Sequence, residues 1–356
     1  MDELRSALEP IRGRGDRFDS VLERIGDASL VALGEATHGT HEFYAARAAI
    51  TQRLIEEKGF GAIVVEADWP DAYRVNRYVR GEGNDASPEE ALGDFVRFPR
   101  WMWRNADVVE FVRWLRAHDA GRPFRERVGF YGMDICSLHA SMQAVIDYLD
   151  RVDPEAAARA RERYACFDRF GSDPALYGRV TGLGLSPTCE AQAVDQVLDM
   201  LQKAERHVKD GGLSAIDARF VAEHDALVVK NAEHYYRAMF AGRINTWNVR
   251  DHHMVETIER LRDHLRATQR SDKVVIWAHN SHVGDARATE PGRHHQLNIG
   301  QLLRERHGDD VVLVGFTTHR GTVTAAPRWG GPAEQKRVPA AIDGSWEQLL
   351  HETGVP

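Results

Sequence analysis

The sequence SLVALGEATHGTHE at residues 29–42 places a polar turn directly after a short apolar run. A run of this length and composition, bounded by glycine and polar residues, is typical of a buried β-strand. Residues 41–58 then space their apolar side chains at helical intervals, and Gly59 provides a plausible helix stop. This stretch therefore predicts a strand, a polar turn and a helix, the repeating unit of α/β sheets.

Four further apolar runs repeat this pattern. The predicted strands are Ser29–Leu33, Ala62–Val65, Val128–Tyr131, Lys273–Trp277 and Val311–Phe316. Their continuous apolar character suits a parallel sheet that is covered on both faces. Helical patterns follow several of them, at residues 41–58, 107–118 and 137–149. We therefore expect an α/β fold, with a three-layer α/β/α core around a mainly parallel sheet.

The middle of the chain has a different pattern. It shows long helical periods at residues 191–208, 216–239 and 246–265, and a Gly-, Pro- and Ser-rich stretch at 171–188 predicts a loop. We expect residues 151–268 to form a helical subdomain, inserted into a core of residues 1–150 and 269–356 that carries the site. Its helices should pack against the site and narrow access to it.

Composition and charge restrict the class of protein. Of the 356 residues, 43% are apolar and 28% charged, as in ordinary globular proteins, and the net charge of −8 disfavours binding to nucleic acid. No signal-peptide pattern and no run of about 20 apolar residues is present. Cys136, Cys166 and Cys189 are widely spaced, which predicts reduced thiols. We expect a cytoplasmic protein that acts on a small molecule, away from membranes.

Polar residues cluster where the predicted strands end. Glu35 and His38 follow the first strand, Glu66 and Asp68 the second, Asp134 the third, His279, Asn280 and His282 the fourth, and Thr317–Arg320 the fifth. In parallel α/β sheets, ligands bind outside the carboxyl ends of the strands. The five clusters therefore predict one site at one edge of the sheet.

Glu35 and His38 are three residues apart at a strand-to-helix junction. A carboxylate there can accept an imidazole N–H and fix the tautomer of a catalytic base, or it can cap the helix with the histidine as its partner. Glu66 ends an otherwise apolar strand, so it needs a polar partner or has a functional role. Arg47 is either an arginine paired with a site acid or a solvated one.

Three other groups leave alternatives open. His279 and His282, with Asn280 between them, could stabilise an oxyanion or donate a proton. The aromatic segment at residues 95–103 is either core or the lining of a cleft. Residues 250–253 open a predicted helix, so we expect capping and surface roles for them. The chain has no Gly-x-Ser-x-Gly, phosphate-loop or His-Glu-x-x-His motif.

Five segments together resemble the erythromycin esterase-like family: GEATHGT at 34–40, VEAD at 65–68, FPRWMW at 98–103, YGMD at 131–134 and WAHNSH at 277–282. The resemblance implies an α/β/α core with a helical subdomain, and hydrolysis of an ester or macrolide lactone without a covalent nucleophile. It implies that His38 activates water, with Glu35, Arg47, Glu66, His279 and His282 at matching site positions. Chains of this family usually continue beyond the equivalent of Pro356, where an edge strand is expected.

We therefore predict direct attack of water on an ester or lactone carbonyl. His38 takes the proton of the water, and Glu35 and Glu66 orient and polarise the reacting groups. His279 or His282 stabilises the oxyanion. The residues predicted to bind substrate are Arg47, Asp68, Arg97, Trp101, Trp103, Asp134 and Asn280. No cofactor or metal is expected.

Two alternatives remain at this point. One is metal-dependent hydrolysis, in which zinc or manganese is held by Glu35, His38, Glu66 and His279. The other is a pocket that binds a small ligand without turnover.

Overall fold

The computed structural model describes residues 2–11, 18–202, 212–242 and 245–355, and a parallel sheet of five strands lies at the centre of this described part. The strands are β1 (Leu30–Leu33), β2 (Ala62–Asp68), β3 (Gly129–Asp134), β4 (Val274–Trp277) and β5 (Val311–Val314). They lie in the order β3-β2-β4-β1-β5, and each neighbouring pair is parallel. The predicted α/β fold with a mainly parallel sheet is confirmed.

Helices make up most of the remaining described chain. They are α1 (Asp2–Ser6), α2 (Asp19–Ile25), α3 (His41–Lys58), α4 (Trp69–Val79), α5 (Pro88–Ala91), α6 (Ala106–Asp119), α7 (Leu138–Val152), α8 (Pro154–Tyr164), α9 (Pro174–Gly182), α10 (Glu190–Gln202), α11 (Gly212–Ala241), α12 (Thr246–Thr268), α13 (Asn280–Val283), α14 (Glu290–Arg293), α15 (Ile299–His307) and α16 (Trp346–Glu352). The predicted helix at 191–208 corresponds to α10, and its residues 203–208 lie outside the described residues.

The three layers arise because side chains alternate between the two faces of the sheet along each strand. Successive side chains of a strand point to opposite faces of the sheet. In β1, Val31 and Leu33 pack in the core that includes α3 and α6, whereas Leu30 and Ala32 pack in the core that includes α12 and α15. Every residue of β1 to β4 is buried, which explains why these strands have continuous apolar runs in the sequence.

The strand order places β4 between β1 and β2. The chain passes from β1 to β2 and on to β3, and then returns through the long helical segment to insert β4 in the middle of the sheet. The carboxyl ends of β1, β2 and β4 are therefore adjacent where the direction of the connections reverses. Such a switch point is where open α/β sheets bind their ligands.

The helical middle has a core of its own. Helices α7 to α11 share a cluster of buried side chains that includes Leu138, Ala160, Tyr177, Met200 and Val229. Helix α12 instead packs its apolar residues into the core on one face of the sheet. The packing thus places α7 with the helical core and α12 with the sheet, and the division at residues 151 and 268 stays a prediction.

The predicted loop at residues 171–188 is wrong, because α9 lies within it. The side chain of Asp173 accepts a hydrogen bond from the Ala175 N–H at 2.9 Å, and Pro174 occupies the first helical position. An aspartate cap followed by proline is a strong helix start, and it outweighs the glycines further along.

The prediction that all three cysteines are reduced is also wrong. Cys166 and Cys189 form a disulfide between α-carbons 5.9 Å apart, and only Cys136 is a free thiol. The two partners are 23 residues apart in sequence and meet because the helices between them turn back in the helical core. Sequence spacing alone does not show such a contact. Among the helices described above, none has the length and apolar character that crossing a bilayer requires.

A two-stranded antiparallel hairpin, β6 (Gly321–Ala325) and β7 (Glu334–Val338), was not predicted from the sequence. Neither strand has a buried residue, and both lack the apolar run that marks the other strands. The Thr324 N–H donates to the Gly39 carbonyl at 3.0 Å. The hairpin therefore lies against the turn that carries His38.

Candidate active site

A cavity of about 880 Å³ opens at the carboxyl end of the sheet. Its wall combines the turn after β1, the ends of β2 and β3, segment 95–103, part of α11 and hairpin β6–β7. Its aromatic lining residues are Phe95, Phe98, Trp101, Trp103, Tyr235, Tyr236 and Trp329. The volume is in the range of small-molecule sites, which are mostly apolar with a few polar groups. Segment 95–103 thus lines the cavity, while Phe95 and Trp103 also belong to the core.

His38 and Glu35 form the charged centre of the turn after β1. The Nδ1 atom of His38 lies 2.8 Å from Oε1 of Glu35, whose other oxygen accepts a hydrogen bond from Arg47 Nη2 at 2.8 Å. Glu35 is completely buried, whereas the His38 side chain is 32% exposed and lines the cavity. With Nδ1 engaged, Nε2 is the ring nitrogen of His38 for which the described residues provide no hydrogen bond.

Burial lowers the pKa of His38, but the hydrogen bond to Glu35 and the nearby Glu66 carboxylate outweigh it, so the pKa lies above its ordinary value. A histidine in this environment is a stronger base than a free imidazole. It can accept a proton at Nε2 while Glu35 stabilises the resulting cation.

Arg47 is not a substrate-binding residue in this structure, contrary to the prediction. Its side chain is completely buried, and its guanidinium lies 4.5 Å from the Tyr44 ring and 5.0 Å from the Trp277 ring. Its charge is paired with the buried Glu35, which in turn contacts His38 at the cavity wall, so neither Arg47 nor Glu35 lines the cavity.

Glu66 is held from three sides. Oε1 accepts from Arg250 Nη2 at 2.8 Å and lies 3.4 Å from His282 Nε2, and Oε2 accepts from the His279 backbone N–H at 2.9 Å. Burial raises the pKa of Glu66, but His282 and Arg250 hold it well below its usual value. The carboxylate therefore remains ionised.

Two arginines join the remaining acids. Arg250 Nε donates to Asp134 at 2.8 Å, and Arg97 Nη2 donates to the other oxygen of Asp134 at 2.7 Å. Arg97 Nε also donates to Asp68 at 2.9 Å, and its side chain remains 42% exposed at the cavity wall. Burial and the neighbouring Asp134 raise the pKa of Asp68 against the effect of Arg97. Asp68 and Asp134 thus fix the orientation of both guanidiniums.

The predicted oxyanion role of His279 does not fit this arrangement. Its Nδ1 accepts from the Ser281 N–H at 3.2 Å, so its Nε2 carries the proton and donates to the Ala36 carbonyl at 3.1 Å. Burial lowers the pKa of His279, which makes the ring neutral. The ring lies 5.2 Å from that of His38 and presents no spare N–H to the cavity.

The same role does not fit His282, which is buried behind Glu66 with only 2% of its side chain exposed. Its Nδ1 lies 2.9 Å from both carboxylate oxygens of Asp251. Burial lowers the pKa of His282, but Glu66 and Asp251 outweigh it and raise it to about 9.

The position of the His282 proton follows from the surrounding charges. Nε2 of His282 lies 3.0 Å from Arg250 Nη1, and it could accept a hydrogen bond from this group if the ring were neutral. Nε2 also lies 3.4 Å from Glu66 Oε1, to which it could donate if the ring were protonated. Among the described residues, four buried carboxylates, Glu66, Asp68, Asp134 and Asp251, lie around two guanidiniums, those of Arg97 and Arg250. We therefore assign the protonated ring at neutral pH.

Asn280 has a structural contact in place of the predicted substrate contact. Its amide donates to the Phe316 carbonyl at 2.6 Å and accepts from the Phe316 N–H at 3.3 Å, which ties the end of β4 to the end of β5. A β-carbon at Gly34 would lie 2.0 Å from the Asn280 Oδ1. Gly34 is therefore required at this position for the close approach.

Arg250 and Asp251 contradict the surface role expected for residues 250–253, because both contact buried side chains of the site. Tyr235 and Tyr236 of α11 were not singled out either, although both line the cavity. A helical pattern that recurs across a long helix does not show which of its polar residues turn inward. In the sequence, Arg250 and Asp251 look like ordinary charged residues near the start of a helix. No local signal distinguishes them from surface residues.

The four predicted metal ligands are engaged with one another and with the protein. Both oxygens of Glu35 and of Glu66, and both ring nitrogens of His279, have hydrogen-bond partners. Within the described residues, the group with ligand atoms close enough to hold a metal is Asp68, Asp134 and Cys136. Arg97 already bridges the two aspartates there.

Comparisons with known proteins agree with this architecture. Residues 55–356 match the family described as erythromycin esterase. The erythromycin esterase type II of Escherichia coli is 24% identical over 96% of this chain and 82% of its own, and the type I enzyme of that organism is 22% identical over 85% and 73%. A succinoglycan biosynthesis protein of known structure superposes with a TM-score of 0.78 at 20% identity, over 99% of this chain and 82% of its own. A mutant erythromycin esterase in its open conformation has a TM-score of 0.67 at 19% identity, over 97% and 85%.

Proposed function

The chain belongs to the erythromycin esterase family, and from this premise we propose that it hydrolyses an ester or lactone in a large, mostly apolar molecule by means of water that His38 activates. The family supports a hydrolase role with a small-molecule substrate. The observation that carries the finer proposal is the His38 ring, which is anchored at Nδ1 by buried Glu35 and lines the cavity.

His38 acts as base and then as acid. A water molecule at Nε2 loses a proton to the ring as its oxygen attacks the carbonyl carbon, which gives a tetrahedral intermediate. When the intermediate collapses, the ester bond breaks and Nε2–H returns the proton to the departing alkoxide. Glu35 keeps the ring in the required tautomer and stabilises its cationic form, and Arg47 fixes Glu35.

The side chains around the cavity support attack by water without a covalent intermediate. Burial and the nearby Asp134 raise the pKa of the Cys136 thiol to about 12, so it is protonated at neutral pH and a poor nucleophile. Ser281 lies 2.8 Å from His279 Nδ1, but it is exposed and not part of the cavity wall.

We assign to Arg97 the role of binding the substrate carbonyl oxygen and stabilising its developing negative charge. Its Nε and Nη2 are fixed by Asp68 and Asp134, yet 42% of its side chain is exposed on the cavity wall. A cation held in this way needs little reorganisation to stabilise a developing oxyanion. It replaces His279 and His282, whose N–H groups are engaged elsewhere.

The aromatic wall determines the substrate class. Trp101, Trp103 and Tyr235 are among the rings that line a cavity of about 880 Å³, which suits a bulky apolar ring better than a short acyl chain. A macrolide lactone, the substrate that the names of the E. coli relatives indicate, has this character.

The test is a hydrolysis screen over macrolides, other lactones and simple esters, each with and without chelator. We expect turnover of a bulky lactone or ester that chelator does not affect. Binding of these compounds without turnover of any would contradict the proposal and leave a ligand-binding protein. Loss of activity with chelator, restored by zinc or manganese, would transfer the chemistry to a metal.

A further inference from the structure

The first two turns of α12 hold His282 in place. The His282 ring stacks on the Trp247 ring, with centroids 4.3 Å apart and planes 5° from parallel. Its Nδ1 lies 2.9 Å from both oxygens of Asp251. Trp247 and Asp251 are four residues apart, so both lie on one face of the helix, and Arg250 beside them contacts the site acids.

Both groups that hold His282 are themselves fixed. The Trp247 indole N–H donates to the Leu297 carbonyl at 2.7 Å. Asp251 is completely buried, and its Oδ1 accepts the Ile299 N–H at 3.0 Å. The ring of His282 is thus held by two side chains of α12 that are themselves anchored to residues 297–299, with Nε2 directed at Glu66.

We propose that Trp247 and Asp251 are positioning residues, which hold His282 against Glu66 and thereby fix the carboxylate that lies beside His38. Glu66 accepts the His279 N–H, so the same contacts also set the position of the turn after β4. The consequence for rate rests on the proposed hydrolysis, whereas the positioning itself does not.

The charges that face His282 come from three elements. Helix α12 contributes Asp251 and Arg250, β2 contributes Glu66, and His279 stands one turn away on its own segment. The segment that leads into α15 contributes backbone groups of Leu297 and Ile299, which bond to Trp247 and Asp251. Two carboxylates therefore favour the protonated ring, while burial opposes it. Removing the charge of either carboxylate must lower the proton affinity of His282.

The experiment follows the titration of His282 by NMR in histidine-labelled protein, with the signal assigned by its loss in H282Q. In Asp251→Asn the side chain keeps its shape and loses its charge, so we expect the proton affinity of His282 to fall at least tenfold. Asp263→Asn is the matched control, because Asp263 lies on the same helix, is 76% exposed and pairs only with Arg266 among the described residues. An unchanged midpoint in folded Asp251→Asn would overturn the proposal.

A second variant tests the other side of the ring and covers a failure of the first to fold. In Glu66→Gln the midpoint of His282 should also fall at least tenfold, and an unchanged midpoint would refute the contact between His282 and Glu66. The readout is independent of turnover. A protein that hydrolyses nothing but shows these shifts would refute the proposed function alone, and a working hydrolase without them would refute the positioning alone.

Discussion

Nδ1 of His38 lies 2.8 Å from Oε1 of Glu35, and Glu35 makes this contact from a completely buried position. The alternative interpretation made Glu35 a helix cap, but the residue that precedes α3 at its cap position is Thr40. Because Arg47 takes the second oxygen of Glu35, the carboxylate cannot rotate away from the histidine. The arrangement fixes one tautomer of His38 and leaves Nε2 for chemistry.

Replacing His38 with Asn should remove most of the hydrolytic rate and keep the fold. Loss of a general base costs about 10²–10⁴-fold in rate, and the position lies at the cavity wall outside the core. Values of kcat/KM on a confirmed substrate check this. His41→Asn is the matched control, since His41 is three residues away, 73% exposed and paired with Asp107. Near-normal turnover of His38→Asn would remove His38 from the mechanism.

The rate should rise with pH as His38 loses its proton, and the midpoint should lie above that of a free imidazole. The pKa of His38 is raised because the Glu35 hydrogen bond and Glu66 outweigh burial. In Glu35→Gln the neutral partner favours the cation less, so the acid limb of the pH–rate profile should move to lower pH by about one unit or more. A profile that stays in place would show that Glu35 does not tune the base.

Arg47→Met should destabilise the protein by about 3–5 kcal/mol, because it leaves the buried Glu35 carboxylate without its guanidinium. The free energy of unfolding in urea measures the change. Arg53→Met, on the same helix, removes a partly exposed arginine that pairs with Asp19 and Glu57 and should cost about 1 kcal/mol or less. Equal losses for the two variants would contradict a buried ion pair at Glu35.

The sheet could be predicted because its strands are buried on both faces. Continuous apolar runs at residues 29–33 and 273–277 need no tertiary information, and the bounds of α3 match the predicted 41–58. The strands β2 and β3 extend further than predicted, to Asp68 and Asp134, because their final acids are buried and paired with Arg97 and Arg250. In the sequence, the polar residues that follow Val65 and Tyr131 indicate earlier ends for these two strands.

The site could be predicted only where a local pattern exists. The pair Glu35 and His38 is visible as a short spacing after a strand, and the structure places His38 in the cavity wall with Glu35 buried behind it. Arg250 has no such signal, since its partners Glu66 and Asp134 are 184 and 116 residues away. The disulfide depends on packing between helices and likewise has no local signal, whereas hairpin β6–β7 is local but has no buried residue and therefore no apolar run to mark its strands.

Hydrolysis should be insensitive to chelator. Three of the possible metal ligands, Glu35, Glu66 and His279, already have a hydrogen-bond partner at every ligand atom. A metal ion would have to break these contacts in order to bind. Activity before and after EDTA treatment, with metal analysis of the same sample, checks this. A stoichiometric ion whose removal abolishes turnover would contradict it.

Trp329→Ala should weaken the use of bulky substrates without affecting stability. Trp329 is 79% exposed on the segment between β6 and β7, and its ring lies 4.8 Å from Phe98 across the cavity mouth. Loss of one aromatic contact of about 0.5–1.5 kcal/mol raises the KM of a large apolar ester by roughly 2- to 12-fold. The KM of a short-chain ester should stay constant, because such a substrate does not reach the mouth. Trp346→Ala is the matched control, since Trp346 is 69% exposed and lies outside the cavity wall. If both tryptophan variants raise KM alike, or if Trp329→Ala affects small and large esters equally, the aromatic mouth does not select the substrate.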